Sequence, residues 1–292
     1  VSAAPPPCLR DILSKSSAYL EQRKIDSPRL SAELVVAHAL GLERLDLYLD
    51  LDRPLTEQDL SKIRPLLARR GTGEPMAYIL GRKEFYGLKL VVTKDVLIPR
   101  PDTELCVDAV LGLYQPDRPL LFADVATGSG AIAVALLVHL PAARCIVTDI
   151  SARALTVAVK NCEAHGVRDR VLSTQADLLT HLAPAALDLI VANPPYLAES
   201  EFSRISKEVA DFEPRIALVA GVRGDEYFDP LVEQAMAVLK SGGHLLLETG
   251  ATQAEKLAGD IRSRSEQWSD IKVLKDYAGL NRYVQARWCP LR

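Results

Sequence analysis

No stretch of this chain is apolar over the roughly 20 residues that a membrane-spanning helix needs. Cysteine is sparse as well: Cys8, Cys106, Cys145, Cys162 and Cys289 are all there is, none at C-x-x-C spacing. No Cys/His group has the spacing of a zinc site, so no metal centre is expected. An odd, scattered set of cysteines fits reduced thiols in a cytoplasmic protein. Cys106, Cys145 and Cys162 lie in apolar stretches and are expected in the core. A strong excess of charge is also missing: 35 Lys and Arg against 38 Asp and Glu leave a net charge of −3. That balance speaks against a chain built to coat nucleic acid, while leaving a local basic patch open. The opening Val1-Ser2-Ala3-Ala4-Pro5-Pro6-Pro7 has neither a charged start nor an apolar core. It does not read as a secretion signal and is expected to fray.

What is present suffices for a sizeable core: 292 residues, 48% of them hydrophobic. Two textures meet near residue 80. Leu9, Ile12, Leu13 and Leu20 recur at helical spacing. Ser27-Pro28 opens a second helix carrying Leu30, Leu34, Val35 and Ala39, and Gly41 closes it. Thr56, followed by Glu57 and Asp59, reads as an N-cap with an acidic first turn, and Gly71 and Gly73 end that helix. Residues 1–80 are therefore expected to be a small helical domain. Phe85-Tyr86-Gly87-Leu88-Lys89-Leu90-Val91-Val92 predicts a β-hairpin within a linker over 81–101. Asp102, after Pro99-Arg100-Pro101, is expected to cap a helix running to Leu113 and to open a last domain over 102–292.

From residue 119 onward, apolar strands (120–125, 145–148, 170–173, 187–192, 244–248) alternate with helical patterns (131–139, 152–165, 227–239, 253–264). That rhythm predicts an α/β, Rossmann-like fold: a mostly parallel, doubly wound sheet covered on both faces. Segments 271–274 and 283–287 are expected to add an antiparallel edge pair.

The first of these strands runs into Ala126-Thr127-Gly128-Ser129-Gly130 and a helix. Glycines at such a turn let the backbone approach a ligand. The next strand ends at Asp149, whose carboxylate can accept hydrogen bonds from both ribose hydroxyls of a nucleoside or can merely cap the helix after Ser151. Asp177-Leu178 follows the third strand, where a carboxylate can accept from an adenine amine and a leucine can pack on the ring; by itself Asp177 reads more readily as a turn residue than as a ligand, and only its position after a third strand favours the latter. The glycine spacing is not G-x-G-x-x-G, which suits S-adenosylmethionine (SAM), a cofactor without pyrophosphate, better than a dinucleotide.

The fourth strand ends in Asn193-Pro194-Pro195-Tyr196. Two prolines stop the ladder and fix φ at both positions. The Asn193 side-chain oxygen and the Pro194 carbonyl are two acceptors suited to a planar NH2 group, and Tyr196 can stack on a flat acceptor. Holding both N–H bonds aims a weakly nucleophilic nitrogen at a methyl group and favours the positive charge that develops on it. The proton can leave after transfer, so no strong base is needed. His38, His139, His165, His181 and His244 are scattered and expected at surfaces or helix ends. Glu248 is expected to be buried near the same sheet edge, where it can orient a neighbour.

These features, with others, resemble the HemK-type protein-(glutamine-N5) methyltransferases, and among them the release factor branch. The resemblance covers nearly the whole chain. Its carriers are Gly73-Glu74-Pro75-Met76-Ala77-Tyr78-Ile79-Leu80-Gly81, Glu84-Phe85-Tyr86-Gly87, and Leu97-Ile98-Pro99-Arg100-Pro101-Asp102-Thr103-Glu104. Phe212-Glu213-Pro214 and Asp276-Tyr277-Ala278-Gly279 with Arg282 add to it. The resemblance implies a class I SAM-dependent methyltransferase domain behind a helical domain that helps bind the substrate. It implies class I peptide-chain release factors as partners, methylated on the glutamine of a Gly-Gly-Gln motif, with S-adenosylhomocysteine as the other product. Cofactor contacts would fall on Ala126, Thr127, Gly128, Ser129, Gly130, Asp149, Leu178 and Asn193, and substrate contacts on Asn193, Pro194, Pro195 and Tyr196. One departure stands out: Ala126 occupies a place where the family usually has glycine. Its methyl group either crowds the cofactor or forces φ negative, so Ala126→Gly is expected to tighten SAM binding.

Other readings share parts of this pattern. A ribosomal-protein glutamine methyltransferase would use the same chemistry on another protein. A DNA or RNA adenine-N6 or guanine-N2 methyltransferase uses similar tetrads but calls for a basic groove. The net charge weighs against stable nucleic-acid binding. A non-catalytic SAM-binding module predicts a damaged tetrad, and a nicotinamide oxidoreductase predicts the full dinucleotide fingerprint. Neither feature is present.

Overall fold

A computed structural model describes residues 6–290. The opening tail expected to fray therefore falls, for residues 1–5, outside the described residues. Helices α1 (Leu9–Gln22), α2 (Pro28–Leu40), α3 (Asp46–Leu49), α4 (Glu57–Gly71) and α5 (Met76–Leu80) come first. The hairpin strands β1 (Arg82–Phe85) and β2 (Leu88–Val91) follow, then helix α6 (Glu104–Leu113). Next are β3 (Leu120–Val125), α7 (Ala131–His139), β4 (Ala143–Asp149), α8 (Ala152–Ala164), β5 (Val171–Gln175) and β6 (Leu187–Ala192). Short elements β7 (Leu197–Ala198), α9 (Glu199–Phe202), α10 (Lys207–Phe212) and β8 (Val219–Gly221) lead to α11 (Phe228–Val238), β9 (Leu239–Glu248), α12 (Ala254–Arg264), β10 (Trp268–Lys275) and β11 (Asn281–Trp288). Among the described residues no helix is long and apolar enough to cross a membrane.

The chain divides into two compact units, Val1–Gly81 with Ser206–Phe212, and Arg82–Ile205 with Glu213–Arg292. The first buries Leu9, Val36, Ala37, Leu47, Leu55, Leu60 and Ile63 in one cluster. Thr56 caps α4 as its sequence suggests. Its hydroxyl accepts from the Asp59 N–H at 3.1 Å, and the Asp59 carboxylate accepts from the Thr56 N–H at 2.9 Å. Such a reciprocal cap is worth about 1 kcal/mol. Gly41 closes α2 at φ +68°, the left-handed turn that favours glycine. Helices α3 and α5 are absent from the sequence reading, because four and five residues are too few to display a helical period.

In the second unit a seven-stranded sheet runs β10-β11-β9-β6-β3-β4-β5. Strands β9, β6, β3, β4 and β5 are parallel, and β11 is antiparallel to both β9 and β10. The C-terminal pair β10 and β11 forms the antiparallel edge expected, with β10 outermost. One bound needs correction: strand β9 starts before 244, continuing through a register shift that carries Gly242 at φ +84°. Alternate residues serve opposite faces. Phe122, Leu189, Val191, Leu246 and Tyr283 join the cluster under α6 and α7, while Ala123, Ile190, Ala192, Leu247 and Val284 join that under α11 and α12. Burial on both faces is why these strands are continuously apolar.

The hairpin turn Tyr86-Gly87 has both residues at positive φ, +50° and +72°, as a two-residue turn between twisted strands demands. Asp102 does not cap a helix. It lies in a 3₁₀ turn, Pro101–Thr103, and α6 begins only at Glu104. Its carboxylate instead lies 3.4 Å from Arg282. His244 is also not at a surface or helix end. It sits half-buried within β9, where Tyr114 shares a 2.8 Å hydrogen bond with its Nδ1. Cys106, Cys145 and Cys162 are buried free thiols.

Candidate active site

Strand register gathers the site. Val125 on β3 pairs with Thr148 on β4 and Ala192 on β6, and Ala192 pairs with Leu247 on β9. The next residue along each strand direction, Ala126 after β3, Asp149 as the last residue of β4, Asn193 after β6 and Glu248 as the last residue of β9, therefore lies along one carboxyl edge. Strands depart to either side of β3, which makes this edge the switch point where open α/β sheets bind ligands. A cleft opens there, with roughly 1010 Å³ of space including its mouth. Its walls include Ala126, Thr127, Gly128, Ser129, Asp149, Asp177, Leu178, Asn193 and Pro195. Gly130, Pro194 and Tyr196 are not on that wall. Gly130 instead serves packing: a Cβ there would stand 3.1 Å from the Ala158 backbone.

The loop after β3 places Ala126, Gly128 and Gly130 at φ +55°, +55° and +76°. Ala126 thus adopts the left-handed conformation, so of the two alternatives the forced negative φ is not the one taken. For an L-residue this costs about 1–2 kcal/mol. The strain exists without any ligand, so relieving it acts first on stability. Ala126→Gly is expected to stabilise the fold by up to about 1 kcal/mol, the gain being trimmed by glycine's unfolded-state entropy. Urea unfolding checks this, and an unchanged or lower midpoint contradicts it.

The loop's amides are already engaged. The Thr127 N–H donates to the Thr148 carbonyl at 3.0 Å, Gly128 to the Asp149 carboxylate at 2.9 Å, and Gly130 to the Thr127 carbonyl at 2.8 Å. At the start of α7 the Asp124 carboxylate accepts from the Ala133 N–H at 3.1 Å and from the Thr127 hydroxyl at 2.7 Å. A carboxyl group of the protein's own thus occupies the start of the helix, where a dinucleotide fold seats its pyrophosphate. Asp95, Asp124, Asp149 and Asp177 line the cleft together. This set of acceptors suits a cationic, phosphate-free nucleoside such as SAM. Asp149 also accepts from the Ser151 N–H at 2.9 Å, so it braces loop and helix while keeping lone pairs for a ligand. Buried Asn161 ties the loop down, donating to the Ser129 carbonyl at 2.8 Å and the Val91 carbonyl at 2.9 Å. Sequence reasoning missed it, for its partners lie 32 and 70 residues away.

Burial pushes the Asp124 carboxyl up to about 7, against the pull of its Thr127 and Ala133 hydrogen bonds. Burial likewise raises Asp149 and Glu248. A folded-state pKa above the unfolded value means stability that is full below about 3.8 and lost as pH rises through about 7. Asp124→Asn is therefore expected to gain stability relative to the parent between pH 5 and 8, by about 1–2 kcal/mol. Equilibrium unfolding at those pH values reads it. A difference independent of pH would show that Asp124 stays ionised throughout.

Around the tetrad, Asn193 Nδ2 points to the Thr103 hydroxyl at 3.4 Å, and that hydroxyl donates to buried Glu248 at 2.9 Å. The Tyr283 hydroxyl donates to the same Glu248 oxygen. Among the described residues none donates to the Pro194 carbonyl. The Tyr196 ring packs beside the α11–α12 cluster, its carbonyl accepts from Gln253 Nε2 at 3.0 Å, and burial pushes its phenol up to about 12. The resemblance segments are also tied together: Glu213 accepts from the Ile98 N–H at 3.1 Å and from Arg100 at 2.6 Å.

Comparison with known proteins agrees with this fold. Residues 11–81 match the family model "PrmC N-terminal domain", and residues 115–211 match "Methyltransferase small domain". A release factor glutamine methyltransferase of Nitratidesulfovibrio vulgaris is 41% identical over 96% of this chain and 95% of its own. One of Chlorobaculum tepidum is 42% identical over 93% of this chain and 94% of its own. Among solved structures, the catalytic domain of human Mettl16 in complex with an RNA hairpin superposes with a TM-score of 0.56, at 16% identity over 78% of this chain and 82% of its own. A Pyrococcus furiosus methyltransferase gives 0.50, at 18% identity over 77% of this chain and 98% of its own. The structural likenesses speak for the fold alone. Full-length identity of this degree, on a methyltransferase sheet with Asn193-Pro194-Pro195-Tyr196 at its carboxyl edge, places the chain in the release factor glutamine methyltransferase family.

Proposed function

We propose that this chain transfers the methyl group of SAM to the side-chain amide nitrogen of the glutamine in the Gly-Gly-Gln motif of class I peptide-chain release factors. The observation that carries the reading is Asn193, which lies on the cofactor cleft with its amide NH2 turned toward Thr103 and its oxygen left for a partner. SAM supplies an electrophilic methyl on a sulfonium. The chain's residues do the rest. Asp149 accepts from ribose hydroxyls, Asp177 accepts from the adenine amine, and Leu178 packs on the ring. Thr127, Gly128 and Ser129 shape the wall, and Gly130 lets α7 approach α8. Asn193 Oδ1 and the Pro194 carbonyl accept the two N–H bonds of the glutamine amide. Pro195 keeps the turn rigid, and Tyr196 flanks the acceptor. Two fixed acceptors orient the nitrogen and draw off positive charge as it develops. The extra proton leaves after transfer.

The helical unit would hold the release factor, in the cytoplasm where translation ends. Tritiated-methyl transfer from SAM to a purified class I release factor, a ribosomal protein extract and nucleic acid tests the substrate directly. Label on the release factor is the expected result. Label on ribosomal protein or nucleic acid instead would overturn the substrate assignment and leave the amide chemistry to be reassigned.

A further inference from the structure

We infer that Thr103 and Glu248 are positioning residues that set which end of the Asn193 amide faces the acceptor. The inference rests on the proposed role of Asn193. Glu248 is 2% exposed and Thr103 4%. A carboxylate only accepts hydrogen bonds, and a hydroxyl has a single proton. The Thr103 proton is spent on Glu248 at 2.9 Å, so toward Asn193 the hydroxyl can offer only a lone pair. Asn193 must then present its NH2 to Thr103, as it does at 3.4 Å, which leaves Oδ1 at the other end. A flipped amide would set two acceptor oxygens against each other and would aim a donor at the incoming NH2 group. The Tyr283 hydroxyl, fully buried and also donating to Glu248, keeps the carboxylate from turning away.

The residues come from distant parts of the chain: the turn before α6, the loop after β6, the end of β9 and β11. All belong to the second compact unit. The Thr103 and Tyr283 hydroxyls donating to Glu248 favour its ionised form against the pull of burial, and in that form it fixes the polarity of the relay. Glutamine there would have both an acceptor and a donor, so the Thr103 hydroxyl could reverse and donate toward Asn193.

The test compares T103V, T103S, E248Q and N193A, using tritiated-methyl transfer to a class I release factor and calorimetric SAM titration. T103V removes the hydroxyl at nearly constant volume. It is expected to lower kcat about 10–100-fold through misaimed amide, with KM for the release factor and Kd for SAM essentially unchanged. T103S, which keeps the hydroxyl, is expected to recover most of the rate. E248Q is expected to lower kcat about tenfold, a factor corresponding to 1.36 kcal/mol of barrier. It carries the test should T103V fail to fold, as judged by circular dichroism. Parental kcat in T103V or E248Q, or equal damage in T103S and T103V, overturns the inference. If N193A is inactive while T103V is normal, only the relay falls. If N193A itself turns over normally, the role of Asn193 falls and the relay with it.

Discussion

Asn193→Ala is expected to lower methyl transfer by about 10²–10³-fold, the usual effect of removing one preorganised hydrogen-bonding group from a transition state. The other polar side chains of that wall, among them Thr127, Ser129, Asp149 and Asp177, belong to the proposed cofactor contacts. Leu178, Pro195, Ile216 and Ala217 are apolar in side chain, and the nearest hydroxyl, Thr103, is committed to Glu248. Water admitted by alanine could solvate the acceptor amide but could not hold it in line. SAM affinity is expected to survive, because Asp149, Asp177 and the loop from Ala126 to Gly130 are untouched. Steady-state transfer combined with calorimetric SAM titration separates the two effects. A rate within a few-fold of the parent would remove Asn193 from the chemistry.

Asp149→Ala is expected to act on the other substrate. The carboxylate stands at the end of β4 and is held between the Gly128 and Ser151 N–H groups, each at 2.9 Å. Hydrogen bonds from ribose hydroxyls to a charged group contribute about 1.5–3 kcal/mol each. With some compensation by water, loss of both is expected to weaken SAM binding by about 100-fold, roughly 3 kcal/mol. The loop also loses an anchor for Gly128, so a fall in unfolding midpoint should accompany the weaker binding. The comparison of interest is Asp149→Asn, which retains an acceptor for the loop and loses the charge. If both variants bind SAM as the parent does, Asp149 is only a brace for the turn, the plainer of its two sequence readings.

What could be read from the sequence had a local cause. Strands 120–125 and 187–192 and helix 131–139 are found at those bounds, because an apolar segment closed by glycine, proline or asparagine states both its type and its end. The Thr56 cap and the Tyr86-Gly87 turn were legible for the same reason, as each needs only four neighbouring residues. Errors arose where geometry overrode local preference. Ala126 adopts a left-handed φ of +55° in the turn between β3 and α7, a conformation that local preference disfavours. Asp102 gives up a capping position and lies beside Arg282, which is 180 positions later in the chain. The Thr103–Glu248 bond spans 145 residues and the Asn193–Thr103 contact 90. No periodicity reports such a network. Only the fold of the sheet makes one cluster of the turn before α6 and the ends of β6 and β9. Thr103 lay within a segment already singled out by resemblance, but its partners were invisible until register was known.

The role of the cleft acids was half legible. Asp149 and Asp177 follow strands and could be placed at a ligand edge by rule. Asp124 sits inside strand β3 and reads there as an interruption of an apolar run. Only the structure reveals it at the helix start, 1% exposed and bonded to the Ala133 N–H, where it takes up the N–H groups that a pyrophosphate would need.

The central claim is that one glutamine amide nitrogen receives the methyl group. Incubating the protein with SAM and a purified class I release factor, then locating the added methyl by fragmentation mass spectrometry, tests it most directly. The expected result is a single methyl on the side-chain nitrogen of the Gly-Gly-Gln glutamine, absent when that glutamine is alanine. A methyl on any other residue, or undiminished labelling of the alanine variant, would contradict the account.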